Sequence, residues 1–177
     1  SEWNEILIEA IRNDFARPTV HARNLYQHSV IIYDAWAAYE PSKDTYFLGK
    51  PFHGYFCEFL GVNIPLDVQS ARHEAISHAS FYFLKSRYQN SPDYFLTFTL
   101  MYDYMLQHGY NPNNLNTDYS NGGPAELGNY LAQEMINTWT SLNTTMQYGL
   151  FNNKVRLRSG IDFTTNGESD DTSVKLY

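Results

Sequence analysis

The chain is expected to be all-α: a helical bundle of about five main helices, joined by a long aromatic loop and followed by an irregular C-terminal tail. Three observations predict this. Apolar residues recur at helical spacing through residues 1–150, recognisable start and stop residues punctuate them, and runs of alternating polarity are nearly missing before residue 154. The domain reading follows: a helical domain over 1–150 and a tail or linker over 151–177.

Each element has its own reason. Trp3, Ile6, Leu7, Ala10, Ile11 and Phe15 form one stripe of an amphipathic first helix, with Glu2, Glu5, Glu9 and Arg12 mostly off it. Pro18 suits the first turn of a second helix. There Ala22, Leu25, Tyr26, Ser29, Ile32, Tyr33 and Trp36 make one broad face, with Val20 and Ile31 opposite, so burial on both sides is expected. Residues 41–66 hold Pro41, Pro51 and Pro65 with Gly49, Gly54 and Gly61, and read as a long aromatic connection. Asp67 is a good N-cap for a third helix reaching about Tyr88, whose Ala71, Ala75 and Ala79 form a smooth ridge for a close neighbour. Ser91-Pro92-Asp93 signals the start of a fourth helix and Gly109 its left-handed stop. After a polar loop over Asn111–Gly123, Pro124 opens a fifth, with Ala125, Gly128, Ala132, Met135, Ile136 and Trp139 on one face. Beyond it stand a short alternating piece, Lys154–Arg158, and a polar, acidic tail.

Composition narrows the function. A net charge of −7 with scattered Lys and Arg argues against a nucleic-acid partner or a polybasic membrane patch. No run approaches the ~20 apolar residues of a membrane helix. Cys57 is the single cysteine, so neither an internal disulfide nor a multi-thiolate zinc site can form. The chain opens Ser-Glu-Trp with no visible leader, as expected of a processed start or a fragment.

The motifs that could carry chemistry favour packing. His73-Glu74-Ala-Ile-Ser-His78 is one residue longer than the zinc-protease HExxH. Histidines five apart lie about 140° around a helix rather than about 40°, so a surface His73 and a partly buried His78 are expected. His21 and His28 share a face with Asn24 between them, but a metal site would need further ligands, and a hydrogen-bonded bundle histidine is the preferred reading. Arg23 and Asp34, eleven apart, point the same way but too far apart to pair, so each is expected to find a partner on another helix. Cys57, among Tyr55, Phe56 and Phe59, reads as a buried, inert thiol beside Glu58 and His53. With neither a Gly-rich phosphate loop nor a nucleophile elbow, no enzyme emerges from motifs alone.

Four blocks nevertheless form a pattern: RPTVHARNLYQHSVIIYDAWAAYEP after a WNEILIEAIRND helix, then ARHEAISHASFYFL, GYNPNN and TDYSNGGPAELGNYLAQEMI. From about Trp3 to Ile136 this resembles the N-terminal helical region of bacterial vanadium-dependent haloperoxidase-like proteins, relatives of the type 2 phosphatidic acid phosphatases. The resemblance implies an all-helical fold, an extracytoplasmic location and, in the complete parent, a vanadate cofactor whose peroxide-loaded form oxidises halide.

The family's vanadate ligands cannot be carried over. Ala10 stands where a Lys should precede Arg17-Pro18. Arg158-Ser159-Gly160-Ile161 lacks the Pro and His of Pro-Ser-Gly-His, and Asp93 occupies the place of the His expected six after Ser86-Arg87. No catalytic, cofactor or metal residue is therefore assigned. The implied role is a non-catalytic helical module bracing a C-terminal catalytic half, or packed in a homo-oligomer. The alternatives are a stand-alone binding or assembly protein, or a small metal- or oxyanion-dependent enzyme with an unrecognised site. In the first reading Arg23, Asn24 and Asp34 fix the second helix against its neighbours while Tyr33 and Trp36 fill the core. Truncating Trp36 to Ala is then expected to cost roughly 3–5 kcal/mol.

Overall fold

A computed structural model describes residues 2–52 and 54–150, with strand segments 154–156, 162–165 and 174–176; side chains are described through residue 138. Five helices carry the fold: α1 (Glu2–Arg12), α2 (Pro18–Ala37), α3 (Val68–Tyr88), α4 (Tyr94–Gln107) and α5 (Pro124–Leu150). The chain divides into two compact units, Ser1–Ile136 and Asn137–Tyr177. In the second, β3 (Lys154–Arg156), β4 (Asp162–Thr165) and β5 (Val174–Leu176) pair antiparallel in that order. Strands thus occupy part of the stretch expected to be irregular, β3 within the alternating piece.

In the first unit α3 is the hub, packed against α1, α2 and α4. Its burial runs nearly all round, from Ala71 and Ala75 through Ser77 to Phe83 and Leu84, because neighbours cover several faces at once. The helix starts where Asp67 accepts the Ser70 N–H at 3.0 Å. The alanine ridge has its close neighbour. A Cβ on Gly128 of α5 would run into the Ala75 carbonyl and lie 2.8 Å from the Ala79 nitrogen, so the two backbones approach as only glycine allows. Ala125, Gly128, Ala132 and Met135 are buried as expected; the side chain of Trp139 lies outside the described residues.

α1 docks through Trp3, Leu7 and Ala10, while Phe15 falls beyond its end and is exposed. The Trp3 indole donates to Ser77 Oγ at 3.1 Å and meets the Tyr104 ring edge-on. α4 ends as Gly109 predicts: φ is +76°, the Gly109 N–H bonds to the Leu106 carbonyl and the Tyr110 N–H to the Met105 carbonyl. Its start differs. The helix begins at Tyr94, after a turn over residues 91–93, because Ser91 Oγ donates to Asp14 instead of capping the first turn. The 41–66 connection is irregular apart from a two-residue hairpin, β1 (Pro51–Phe52) with β2 (Tyr55–Phe56). It tucks Phe47, Leu48, Phe52 and Cys57 into the core.

α2 requires a correction. Of the face expected to look inward, Ala22, Leu25, Tyr26, Ser29 and Tyr33 are solvent-exposed and Ile32 and Trp36 half-buried, and one side of the helix is covered rather than two. The buried face carries Asn24, Gln27, His28, Ile31, Asp34 and Ala35. Polar groups go inside because several meet partners there, and a hydrogen-bonded polar group removes the penalty that hydrophobic patterning assumes.

Candidate functional site

The polar seam between α2 and α3 concentrates the residues singled out by sequence, and each can be followed to its partners. Asp34, wholly buried on α2, accepts the backbone N–H groups of Tyr46, Phe47 and Leu48 at 2.6, 2.7 and 2.7 Å. Its partners are therefore loop amides and not, as expected, a group on another helix. The loop enters the core at Phe47 and Leu48, where its amides would otherwise be left without acceptors. Burial raises the Asp34 pKa above the ordinary carboxylate range, with the three N–H donors working against that rise.

Tyr33 does not fill the core. It is 41% exposed, and its hydroxyl donates to the Asp44 carbonyl at 2.9 Å, pinning the loop from outside. Trp36 is half-buried, and the Arg72 guanidinium of α3 lies 4.9 Å from its ring centroid. The same guanidinium donates to the Tyr39 carbonyl at 3.0 Å and to Glu40 Oε2 at 2.8 Å. The C-terminal end of α2 is thus clamped onto α3 by one arginine with an aromatic face, a carbonyl and a carboxylate. Sequence reading missed Arg72, although a signal exists: it shares the helical stripe of Ala75 and Ala79, where a lone charge is out of place.

Further along the seam, His28 Nε2 bonds to Ser80 Oγ at 3.0 Å, and burial pulls its pKa down to about 4. The ring is a neutral bundle histidine, as expected. His21 is instead engaged at the exposed edge, its Nε2 2.9 Å from the Phe15 carbonyl, so the two share no common ligand. His73 is exposed and His78 buried, also as expected. His78 Nδ1 donates to Asn129 Oδ1 of α5, whose amide donates in turn to the Asn114 and Asn116 carbonyls at 2.8 and 2.9 Å. Asn24 is buried beside the Tyr88 hydroxyl, and Arg23 is half-buried near Arg87.

Outside the seam, Cys57 is fully buried and burial pushes its thiol up to about 12, which suits an inert core residue. A surface cleft of about 480 Å³ lies between Leu60–Asn63 and the start of α5, lined also by Tyr39 and Tyr119. Its lining has no His, Cys, Lys, Arg, Asp or Glu. Among the described residues no group of three or more His, Cys, Asp or Glu is placed to hold a metal ion. No helix among them is long and apolar enough to cross a membrane.

The described residues do not fit vanadate as the resembling family holds it. Ala10 is buried in the α1 stripe where a lysine would be needed, and Arg17 of the Arg-Pro pair is bound to Asp14 at 2.9 and 3.0 Å. No family model matches the chain, and neither does any curated protein or solved structure.

Proposed function

We propose that this chain is a non-catalytic helical module of a vanadium-dependent haloperoxidase- or phosphatase-like protein, bracing a catalytic half that carries the vanadate ligands. The observation behind this reading is that polar residues of the four resembling blocks bond to one another. Arg72 and Ser80 of the second block bind Glu40 and His28 of the first, and Asn129 of the fourth holds both His78 and the Asn114 carbonyl at the end of the third. Groups committed to internal bonds position helices; they are not poised for proton transfer or ligand exchange. An extracytoplasmic location and a parent that oxidises halide with peroxide belong to the same reading.

A second reading, a stand-alone assembly protein, draws on the apolar side chains that α4 leaves exposed, Phe95 at 77% with Leu96, Leu100 and Leu106. Intact mass of the protein from its native source, set against 20.5 kDa, separates the two. The bracing reading expects a much larger molecule, and this chain alone, given vanadate, peroxide and bromide, should oxidise no bromide. A native mass of 20.5 kDa with a stable oligomer would replace it by the assembly reading.

A further inference from the structure

A cleft of about 370 Å³ lies where the start of α1, the first half of α3 and the end of α4 meet, and it brings together Glu2, Trp3, His73, Tyr104, His108 and Tyr110. Its walls are aromatic. The Tyr104 and His108 rings stack with centroids 4.1 Å apart, the Tyr110 ring lies 6.1 Å from His108 and nearly parallel to it, and Trp3 meets Tyr104 at 4.8 Å. His108 is held in one tautomer. Its Nδ1 is 2.9 Å from the Tyr104 carbonyl, which can only accept, so Nδ1 carries the proton and the neutral ring presents a lone pair at Nε2. That nitrogen is 3.8 Å from Glu2 Oε2, beyond hydrogen-bond reach, and the two atoms are both acceptors. Burial, and then the neighbouring Glu2, push the Tyr104 phenol up to about 12, so that ring stays neutral. None of the described residues lining the cleft is Lys or Arg, and the chain as a whole carries a charge of −7. Two adjacent acceptors in an aromatic, anionic cleft call for one donor of positive charge.

We propose that this cleft binds a small organic ammonium ion, a protonated primary amine whose N–H groups are shared between Glu2 and His108 Nε2 and whose carbon chain lies along the aromatic wall. A primary ammonium has three donors, enough to satisfy both acceptors at once, and the rings attract its charge through their electron-rich faces. The site is distinct from the Asp34 and Arg72 contacts and does not depend on the bracing reading.

The test follows the Trp3 indole N–H, bonded to Ser77 at the cleft wall, by NMR while the full chain is titrated at pH 8, where imidazole is neutral. The probes are n-butylammonium and tetramethylammonium chloride, each against sodium chloride at matched ionic strength. Butylammonium is expected to saturate one site per chain with a Kd of about 1 mM or tighter. Tetramethylammonium, which has the charge but no N–H, should bind about fivefold more weakly or worse. Glu2→Gln should weaken butylammonium binding about fivefold or more, and His108→Phe, which keeps a ring and removes Nε2, about threefold. Both residues are exposed, so neither change threatens the fold. Asp44→Asn, which removes an exposed carboxylate of the 41–66 connection, should leave binding unchanged. Butylammonium shifts that do not saturate overturn the proposal, as do equal binding of the two cations and equal losses in Glu2→Gln and Asp44→Asn.

Discussion

Asp34 Oδ2 lies 2.7 Å from the backbone nitrogen of Leu48, fourteen residues further along the chain. With the Phe47 and Tyr46 amides also bound, a single buried carboxylate organises the turn by which the aromatic connection re-enters the core after α2. This side chain sets loop position, and its loss should be felt far from its own helix.

Asp34→Ala should therefore cost about 3–5 kcal/mol, since it strands three amides whose acceptor is buried. Asp34→Asn keeps one acceptor oxygen and should cost about 1–3 kcal/mol. Urea unfolding followed by circular dichroism measures both. Equal losses for the two variants would mean that shape, and not hydrogen bonding, holds the turn.

The Trp36–Arg72 contact revises the expectation for Trp36→Ala. A half-buried ring under a guanidinium should cost about 1–3 kcal/mol when truncated, below the figure for a core tryptophan. A double-mutant cycle with Arg72→Met should return a coupling of about 0.5–2 kcal/mol. Additive losses would show that the two side chains act independently.

Gly128 makes a sharper case. Alanine is the better helix former by about 1 kcal/mol, yet its Cβ would press on the Ala75 carbonyl and the Ala79 nitrogen. Backbone cannot yield as a flexible side chain can, so Gly128→Ala should destabilise by about 1–3 kcal/mol net. A rise in Tm would place α5 further from α3 than described.

His28 gives the fold a pH dependence. Burial lowers its pKa from 6.5 to about 4, so between those values the unfolded chain binds the proton and the folded chain does not. Stability contributed by the neutral ring is complete above 6.5 and is lost as pH falls toward 4, amounting to about 3 kcal/mol at 1.36 kcal/mol per unit. His78, lowered chiefly by burial, acts in the same direction. Urea midpoints between pH 7 and pH 4 should fall steeply, and less steeply in His28→Gln. An unchanged slope in that variant would assign the pH dependence elsewhere.

Cys57, with its thiol pushed up to about 12, should resist iodoacetamide at pH 8 in the folded protein and react fully once unfolded. Rapid labelling of the native state would mean that the 41–66 connection opens readily.

What was readable from sequence shares one physical character: it depends on neighbours within a few residues. Asp67 caps α3 through Ser70, and Gly109 stops α4 in the left-handed region, because both effects act within one helical turn. The apolar stripe of α1 and the alanine ridge of α3 were legible because each presents a face at helical spacing.

The inward face of α2 was not legible. Hydrophobic patterning assigns Tyr26 and Tyr33 to the core, and although burial of His28 and Asp34 is expected, their partners cannot be named from it. The fold turns both tyrosines outward and supplies the partners inside, Ser80 for His28 and the Phe47–Leu48 amides for Asp34. Such partners lie far along the chain, so no local window contains both halves of the bond. By itself, then, the sequence determined the number of helices, the Asp67 cap, the Gly109 stop and the all-α class, all set by short-range backbone energetics. Only the tertiary structure decided that Arg72 clamps α2 and that Gly128 receives Ala75. It alone gave the Asp34 carboxylate its three loop amides, because whether a polar group is costly or satisfied depends on what the fold brings to it.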